Sequence, residues 1–220
     1  MGVVLARPVP RWLHIWAILT VLFTAPLLIV GGFVTTFRVG MADPVWPTEP
    51  WYLLDNYKLE AGYLIEHTHR ILGFLVGFFG LVLAFGLWAI EPRNSLRWFG
   101  LGVILAQLLA FSAFHVVMRG QPTDAGFTTP VKLNIAAMLA TSVVNLVVAW
   151  LVYRKGGVGG LVRAVVIFGM LGGMVQGLLG GLRVRLNALF GLEFATVHGV
   201  VGTIVFSLLL ACAVLTSPNR

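Results

Sequence analysis

The sequence predicts an all-α membrane protein, a polytopic bundle of about six transmembrane helices that forms one domain over residues 1–220. Hydrophobic residues make up 59% of the chain and charged residues only 10%, and the mean hydropathy is +0.94. Six apolar stretches are close to or longer than the roughly 20 residues with which a helix crosses a bilayer. This composition excludes an ordinary soluble domain, and membrane lipid is the first expected partner.

The apolar stretches place the spans along the chain. They are predicted at about 12–35, 65–90, 98–118, 131–153, 161–182 and 194–215. The first follows Arg7 and Arg11, but it is too long for a signal peptide and lacks a small-residue cleavage site, so we interpret it as a retained helix. Residues 36–64 form the longest polar connection and contain several prolines and tryptophans. We interpret them either as a lid over the outer mouth or as a loop that only closes the bundle.

The two sets of helix ends differ in charge. The set that includes both termini carries eight Lys or Arg residues against one acid, whereas the other set carries seven of each. By the positive-inside rule, both termini are expected to be cytoplasmic. This topology accounts for the net charge of +7, so no nucleic-acid partner is expected. Cys212 is the only cysteine, which excludes a disulfide within the chain.

Spans four and five carry polar and small residues with structural interpretations. In span four we expect interhelical hydrogen bonds from three polar residues, Asn134, Ser142 and Asn145. In span five, glycines recur at every fourth position from 169 to 181. The pattern favours a close helix contact. The second interpretation is a flat surface at Gly177 and Gly181 that leaves room for a planar macrocycle.

Residues 66–70 (Glu-His-Thr-His-Arg) concentrate ionisable groups at the start of span two. Such groups are costly in lipid and mark functional sites. Glu66 and His69 lie on one helix face (i, i+3) and are expected to share a target, with Arg70 one turn from Glu66. His67 points away from His69, which fits a solvated helix end, a contact with the outer loop or a contact with a ligand carboxylate.

A second histidine lies at the depth of His69. His198 is about four residues inside span six, or ~6 Å at the helical rise, and spans two and six run in the same direction. Level imidazoles on such helices are typical of axial ligation of haem iron. We expect Arg70, Arg183 or Arg185 to meet the haem propionates.

Other histidines and other kinds of site are alternatives to a haem held by His69 and His198. His115 also lies near the outer face and competes with His198 as the second ligand, whereas His14 beside two tryptophans suggests an interfacial role. A zinc site needs three or four ligands, of which the sequence suggests only Glu66, His69 and one distant histidine. A transporter would place ionisable residues near mid-depth.

The chain resembles the haem A synthase family in four motifs. They are residues 31–36 (Gly-Gly-Phe-Val-Thr-Thr) with 42–47 (Ala-Asp-Pro-Val-Trp-Pro), 66–70, 176–184 (Gln-Gly-Leu-Leu-Gly-Gly-Leu-Arg-Val), and 196–199 (Thr-Val-His-Gly). The resemblance implies an enzyme of the bacterial cytoplasmic membrane that oxidises a ring methyl of haem O to a formyl group, at a site near the outer face. It implies that His69 and His198 face this haem and that Glu66 takes part in the oxidation. Haem O synthase and a terminal oxidase are the implied partners.

The resemblance covers spans one, two, five and six, with spans three and four as an insertion. Family members usually have two homologous four-helix halves, the second of which holds haem b, and this chain resembles the first half only. The difference suggests that a homodimer or a second membrane chain supplies the other half. It also favours an alternative function, that of a non-catalytic bis-histidine b-type haem protein acting as an electron carrier or haem-delivery subunit.

Overall fold

The computed structural model describes residues 9–43, 45, 58–119, 127–185 and 187–218, with the backbone alone at 185 and 187–192. Within these ranges six helices occur, namely α1 Arg11–Thr36, α2 Ala61–Ala89, α3 Asn94–Met118, α4 Thr129–Lys155, α5 Gly157–Arg185 and α6 Asn187–Leu215. Each helix is long and apolar enough to cross a membrane. The predicted all-α membrane bundle is confirmed. Residues 46–57, which form the middle of the predicted lid, lie outside the described part of the chain.

Four helices close a ring. α1 packs on α2, α2 on α5, α5 on α6, and α6 back on α1. Where α6 meets α1, His14 Nδ1 and Thr216 Oγ1 form a hydrogen bond of 3.2 Å, so His14 contacts another part of the bundle. α3 and α4 lie outside this ring, because α4 packs on α5 and on α3, and α3 also contacts α2. The four-helix core with two added spans follows the predicted arrangement, and it places α2 and α6 at opposite corners of the ring.

The outer surface of the bundle is apolar, as expected for a surface that faces lipid. Large aliphatic side chains on different helices are exposed, including Ile29 (60%), Val143 (59%) and Val200 (57%). The interior is filled by a continuous cluster that runs from Leu13 of α1 through Leu87 of α2 to Ile167 of α5, all of them buried. A water-soluble bundle would bury such side chains rather than expose them.

The helices extend beyond the apolar stretches that predicted them. The largest difference is in α6, which begins at Asn187 rather than near residue 194. α5 likewise continues to Arg185, three residues past the predicted span. Hydropathy detects only the part of a helix that lipid surrounds, and a helix can continue with polar residues past that part.

The end of α1 directs the chain into an outer segment, defined here as residues 37–43 and 45. Arg38 has a left-handed φ of 55°. Its N–H donates to the carbonyl of Thr35 (3.2 Å), and the N–H of Val39 donates to that of Val34 (3.0 Å). These two bonds form a Schellman motif, which ends the helix and turns the chain.

A buried ion pair joins α2 to α5 at the end of α2. Glu91 is only 1% exposed, and its carboxylate accepts from Arg93 Nε at 2.6 Å and pairs with Arg163 Nη1 at 3.2 Å. Arg163 also donates to the carbonyl of Leu87 (3.1 Å). Burial alone would raise the pKa of Glu91, but the hydrogen bond from Arg93 and the charge of Arg163 outweigh it and hold the pKa below its ordinary value. The contact between Glu91 and Arg163 is not apparent from the sequence, in which they lie more than 70 residues apart.

Two of the three polar residues predicted to join helices in span four do so. Ser142 donates to Gln107 Oε1 (3.2 Å), and Asn145 donates to the carbonyl of Val103 (3.4 Å), so both connect α4 to α3. The prediction for Asn134 is wrong, because its amide donates to the carbonyl of Pro130 in its own helix (2.9 Å). These bonds attach α3 to α4 outside the ring.

Candidate functional site

His69 and His198 meet inside the four-helix ring. The centroids of the two imidazole rings are 6.2 Å apart, and their planes make an angle of 70°. A metal bound between two imidazoles separates their centroids by about 6 Å, because each metal–nitrogen bond is about 2 Å and each ring adds about 1 Å. Side chains projecting inward from facing helices are the usual way in which bundles hold metals and cofactors.

A hydrogen bond from α1 fixes the imidazole of His69. Its Nδ1 lies 3.2 Å from the carbonyl oxygen of Leu27. A carbonyl can only accept, so Nδ1 carries the proton and Nε2 keeps a free lone pair. Gly31, one turn after Leu27, lies against the same ring, and a Cβ there would be only 2.8 Å from Cε1 of His69. α1 therefore holds the imidazole in the tautomer and orientation of a metal ligand.

The position of His198 depends on α5. Gln176 donates from Nε2 to the backbone carbonyl of His198 (2.8 Å). A Cβ at Gly202 would be 2.5 Å from this nitrogen, so the absence of a side chain at 202 lets the amide reach its acceptor. Gly180, one turn from Gln176, lies beside the His198 ring, with its Cβ position 3.6 Å from Cε1.

Buried polar atoms without hydrogen-bond partners gather near this pair. Within the described part of the chain, three such atoms, Gln176 Oε1, Arg183 Nε and His198 Nδ1, lie on α5 and α6, whereas a fourth, Trp88 Nε1, lies at the far end of α2. Gln176 contacts His198 directly, and Arg183 lies on the same face of α5 seven residues later. Buried polar groups are almost always hydrogen-bonded, so three such atoms at one place indicate a site for a ligand.

Glu66 and Arg70 bind the outer segment to α2. Glu66 is buried. Its Oε1 accepts from Arg70 Nη2 (2.7 Å), and its Oε2 accepts from the backbone N–H of Asp43 (2.7 Å). Arg70 also donates to the carbonyls of Asp43 and Val45. Both oxygens of Glu66 and the guanidinium of Arg70 are therefore occupied by contacts within the protein.

His67 belongs to the same polar cluster. It is fully buried, its Nδ1 lies 3.3 Å from Asp43 Oδ2, and its ring stacks on Tyr63 with centroids 4.8 Å apart. Of the interpretations offered for His67, this placement agrees with a contact to the outer loop and not with a solvated helix end. Asp43 had no predicted role. Its position in the motif at residues 42–47 is the one feature of the sequence that could have indicated a role in the site.

The glycines of α5 contribute differently from the prediction. The closest approach to α6 is at Gly172, where a Cβ would be 2.6 Å from Val205, and not along the predicted repeat. Of that repeat, Gly173 is exposed with open space around it, and the Cβ position of Gly177 is at ordinary contact distance, 3.4 Å, from Phe111. Gly181 is buried. The helix contact that the repeat predicted is therefore made mainly by a neighbouring glycine.

His115 lies on α3, outside the four-helix ring. Its Nδ1 donates to the carbonyl of Phe111 (2.9 Å), and its ring contacts Phe111 and Phe114 with centroids 4.3 Å and 5.7 Å away. Among the described residues, no three His, Cys, Asp or Glu side chains converge as a metal site would require. Arg185 was a further candidate, and its side chain lies outside the described part. No protein-family model, curated protein or solved structure matches this chain.

Proposed function

We propose that the chain is a haem-binding membrane oxidoreductase of the haem A synthase type. In this proposal His69 and His198 hold the iron of haem O, and one ring methyl of this substrate is oxidised to a formyl group. The single observation that carries the proposal is the pair of imidazoles facing each other across the bundle, with centroids 6.2 Å apart. Conversion of the methyl to a formyl group would remove four electrons, which pass to an acceptor outside this site, and would take its oxygen atom from water, while the chain would position and shield the substrate.

The donor set fits a haem better than a bare metal ion. A porphyrin provides four nitrogens to its iron, so two axial imidazoles complete the coordination. Zinc would need one or two more protein ligands, and the described residues offer no such group. The hydrogen bond from His69 Nδ1 to Leu27 also suits an axial ligand, because it leaves Nε2 free for iron.

Glu66 is the proposed catalytic residue, as a fixed negative charge. It is three residues from His69 on one helix face, and oxidation of a ring methyl develops positive charge at the ring edge. Because Arg70 and Asp43 already donate to both of its oxygens, the carboxylate is held in place. It would stabilise developing charge rather than move to take up a proton.

A second candidate is a non-catalytic b-type haem protein, an electron carrier or a haem-delivery subunit. The same contacts favour it, since the bonds from Glu66 to Arg70 and Asp43 explain a buried carboxylate without any catalytic role. The resemblance to only one half of the haem A synthases also agrees with a simpler function. If the chain is an enzyme, we propose that a homodimer or a second membrane chain accepts its electrons.

The proposed setting is the bacterial cytoplasmic membrane, with both termini in the cytoplasm and the haem site towards the outer face. A haem O synthase that delivers substrate and a terminal oxidase that receives the product are the proposed partners. The charge difference between the two sets of helix ends supports the orientation.

The decisive experiment is to identify the haem that purifies with the full chain from a host that makes haems B and O. Pyridine haemochrome spectra and chromatography should show haem O or haem A for the enzyme. Haem B alone supports the carrier, and a chain that binds none of them, even after reconstitution, contradicts both functions.

Two substitutions then separate catalysis from structure. Glu66→Gln should keep the bis-histidine spectrum and lower conversion of haem O to haem A about a hundredfold, since one lost electrostatic contact costs ~3 kcal/mol. Arg70→Gln breaks the same ion pair but keeps the carboxylate. Equal loss of conversion in both variants would show that Glu66 acts only by holding the outer segment.

A further inference from the structure

Arg183 has a different environment from the other arginine near the site. It lies seven residues after Gln176 on α5, and Gly180 falls between them, so all three lie on the helix face towards His198. The outer segment covers its guanidinium. A Cβ at Gly40 would be 2.6 Å from Nη2 and 2.7 Å from Cζ of Arg183. The guanidinium therefore packs against the backbone at residue 40.

No described residue neutralises this charge. Arg183 Nε is shielded from solvent and has no hydrogen-bond partner in the described part of the chain. The two nearby acids are occupied elsewhere, Asp43 by Arg70 and His67, and Glu66 by Arg70. A buried N–H donor without a partner is costly, and an anion that accepts from Nε would remove this cost.

The location of Arg183 indicates which anion. It lies one helical turn after Gly180, whose Cβ position is 3.6 Å from Cε1 of His198, so an acidic group bound by Arg183 would belong to a ligand beside that ring. Arginine binds carboxylates through its planar fork of N–H donors. Arg70, in contrast, already donates to Glu66 and to the carbonyls of the outer segment.

We infer that Arg183 binds a carboxylate of the ligand held by His69 and His198, and so selects tetrapyrroles that carry free acid side chains. Arg70 has a separate role, which is to attach the outer segment to α2. This division of roles rests on the proposed haem site.

The test compares haem b with its dimethyl ester, in which both acid groups are blocked. Each is titrated into the purified full chain in detergent, and the low-spin absorption spectrum reports binding. The wild-type chain should bind the free acid about tenfold to a hundredfold more tightly than the ester, as expected for a charge-assisted hydrogen bond. Arg183→Gln should bind both with similar affinity. Arg38→Gln, which removes an exposed positive charge from the outer segment itself, should keep the wild-type preference.

A second variant covers the case in which Arg183→Gln does not fold. Gly40→Ala keeps the charge but displaces the guanidinium, because the new Cβ would meet it. It should also reduce the preference for the free acid. An unchanged preference in whichever of the two variants folds would overturn the inference while leaving the haem site intact. A wild-type chain that gives no bis-histidine spectrum with either compound would overturn the proposed haem site itself, and the inference with it.

Discussion

Replacing Gly31 by alanine should displace the imidazole of His69 without changing any group that touches a ligand. The new Cβ would lie 2.8 Å from Cε1 and 3.3 Å from Nδ1 of the ring, whereas ordinary contact begins at 3.4 Å. Because the clash is with the ring itself, the imidazole must move away from α1. This movement would lengthen the hydrogen bond from Nδ1 to Leu27, which is already 3.2 Å.

The size of the effect follows from this geometry. Moving Cε1 from 2.8 Å to 3.4 Å requires a shift several times larger than the ~0.2 Å tolerance of metal–ligand distances. Loss of a partner that orients a metal ligand typically lowers affinity about tenfold to a hundredfold. We therefore expect Gly31→Ala to weaken haem binding at least tenfold and to reduce the low-spin fraction at saturation.

The adjacent residue provides a matched control. Gly32 has nothing within 4 Å of its Cβ position and is exposed on the bundle surface. Both substitutions remove a glycine from the same helix and gain about the same helix propensity, ~1 kcal/mol, so this contribution cancels in the comparison. Optical titration of both variants with haem measures the difference. Wild-type affinity and spectrum in Gly31→Ala would refute the proposed role of α1 in orienting His69.

Two further predictions concern other contacts of the bundle. Gly202→Ala should break the hydrogen bond of Gln176, because the new Cβ would be 2.5 Å from the amide nitrogen, and should weaken haem binding several-fold. Gly199→Ala, whose Cβ would have open space around it, should leave haem binding unchanged. Equal haem titration curves for the two variants would contradict this prediction. Glu91→Gln should lower stability by ~3 kcal/mol, since it leaves Arg163 buried without its counter-charge, and thermal unfolding in detergent measures the loss. The pKa of Glu91 in the folded chain is lower than the ordinary carboxyl value of ~4.3, so its stabilisation is present above that value and is lost as pH falls through the lower folded pKa. In this acid range the melting temperature of the wild-type chain should therefore fall faster than that of Glu91→Gln. Equal falls in the two chains would be inconsistent with the ion pair.

Hydropathy predicted the six spans because lipid imposes a length and a composition on each helix. The juxtaposition of His69 and His198 was also predictable. Both lie about one turn inside their apolar stretches. Because each residue of a helix adds the same rise, equal numbers of residues from the outer end place the two histidines at equal depth. The predicted span at 194–215 agrees with the apolar part of α6, and residues 187–193 continue the helix before it.

The contacts that complete the site were not predictable. The bonds from Glu66 and Arg70 to Asp43 reach a segment without regular structure, where periodicity gives no information. The glycine repeat of α5 indicated close packing, but the rotation of the helix determines which glycine faces which neighbour. Tertiary packing places Gly172 against Val205 and leaves Gly173 in open space, and no local pattern separates two adjacent glycines.

The central claim is that His69 and His198 are the two axial ligands of one haem. It is tested most directly by electron paramagnetic resonance of the ferric protein, reconstituted with haem b, in four single alanine variants. His69→Ala and His198→Ala should each lose the low-spin bis-histidine signal. His115→Ala and His14→Ala, which change imidazoles on α3 and at the start of α1, should keep it. Loss of the signal in His115→Ala together with its retention in His198→Ala would contradict the account and place α3 in the site.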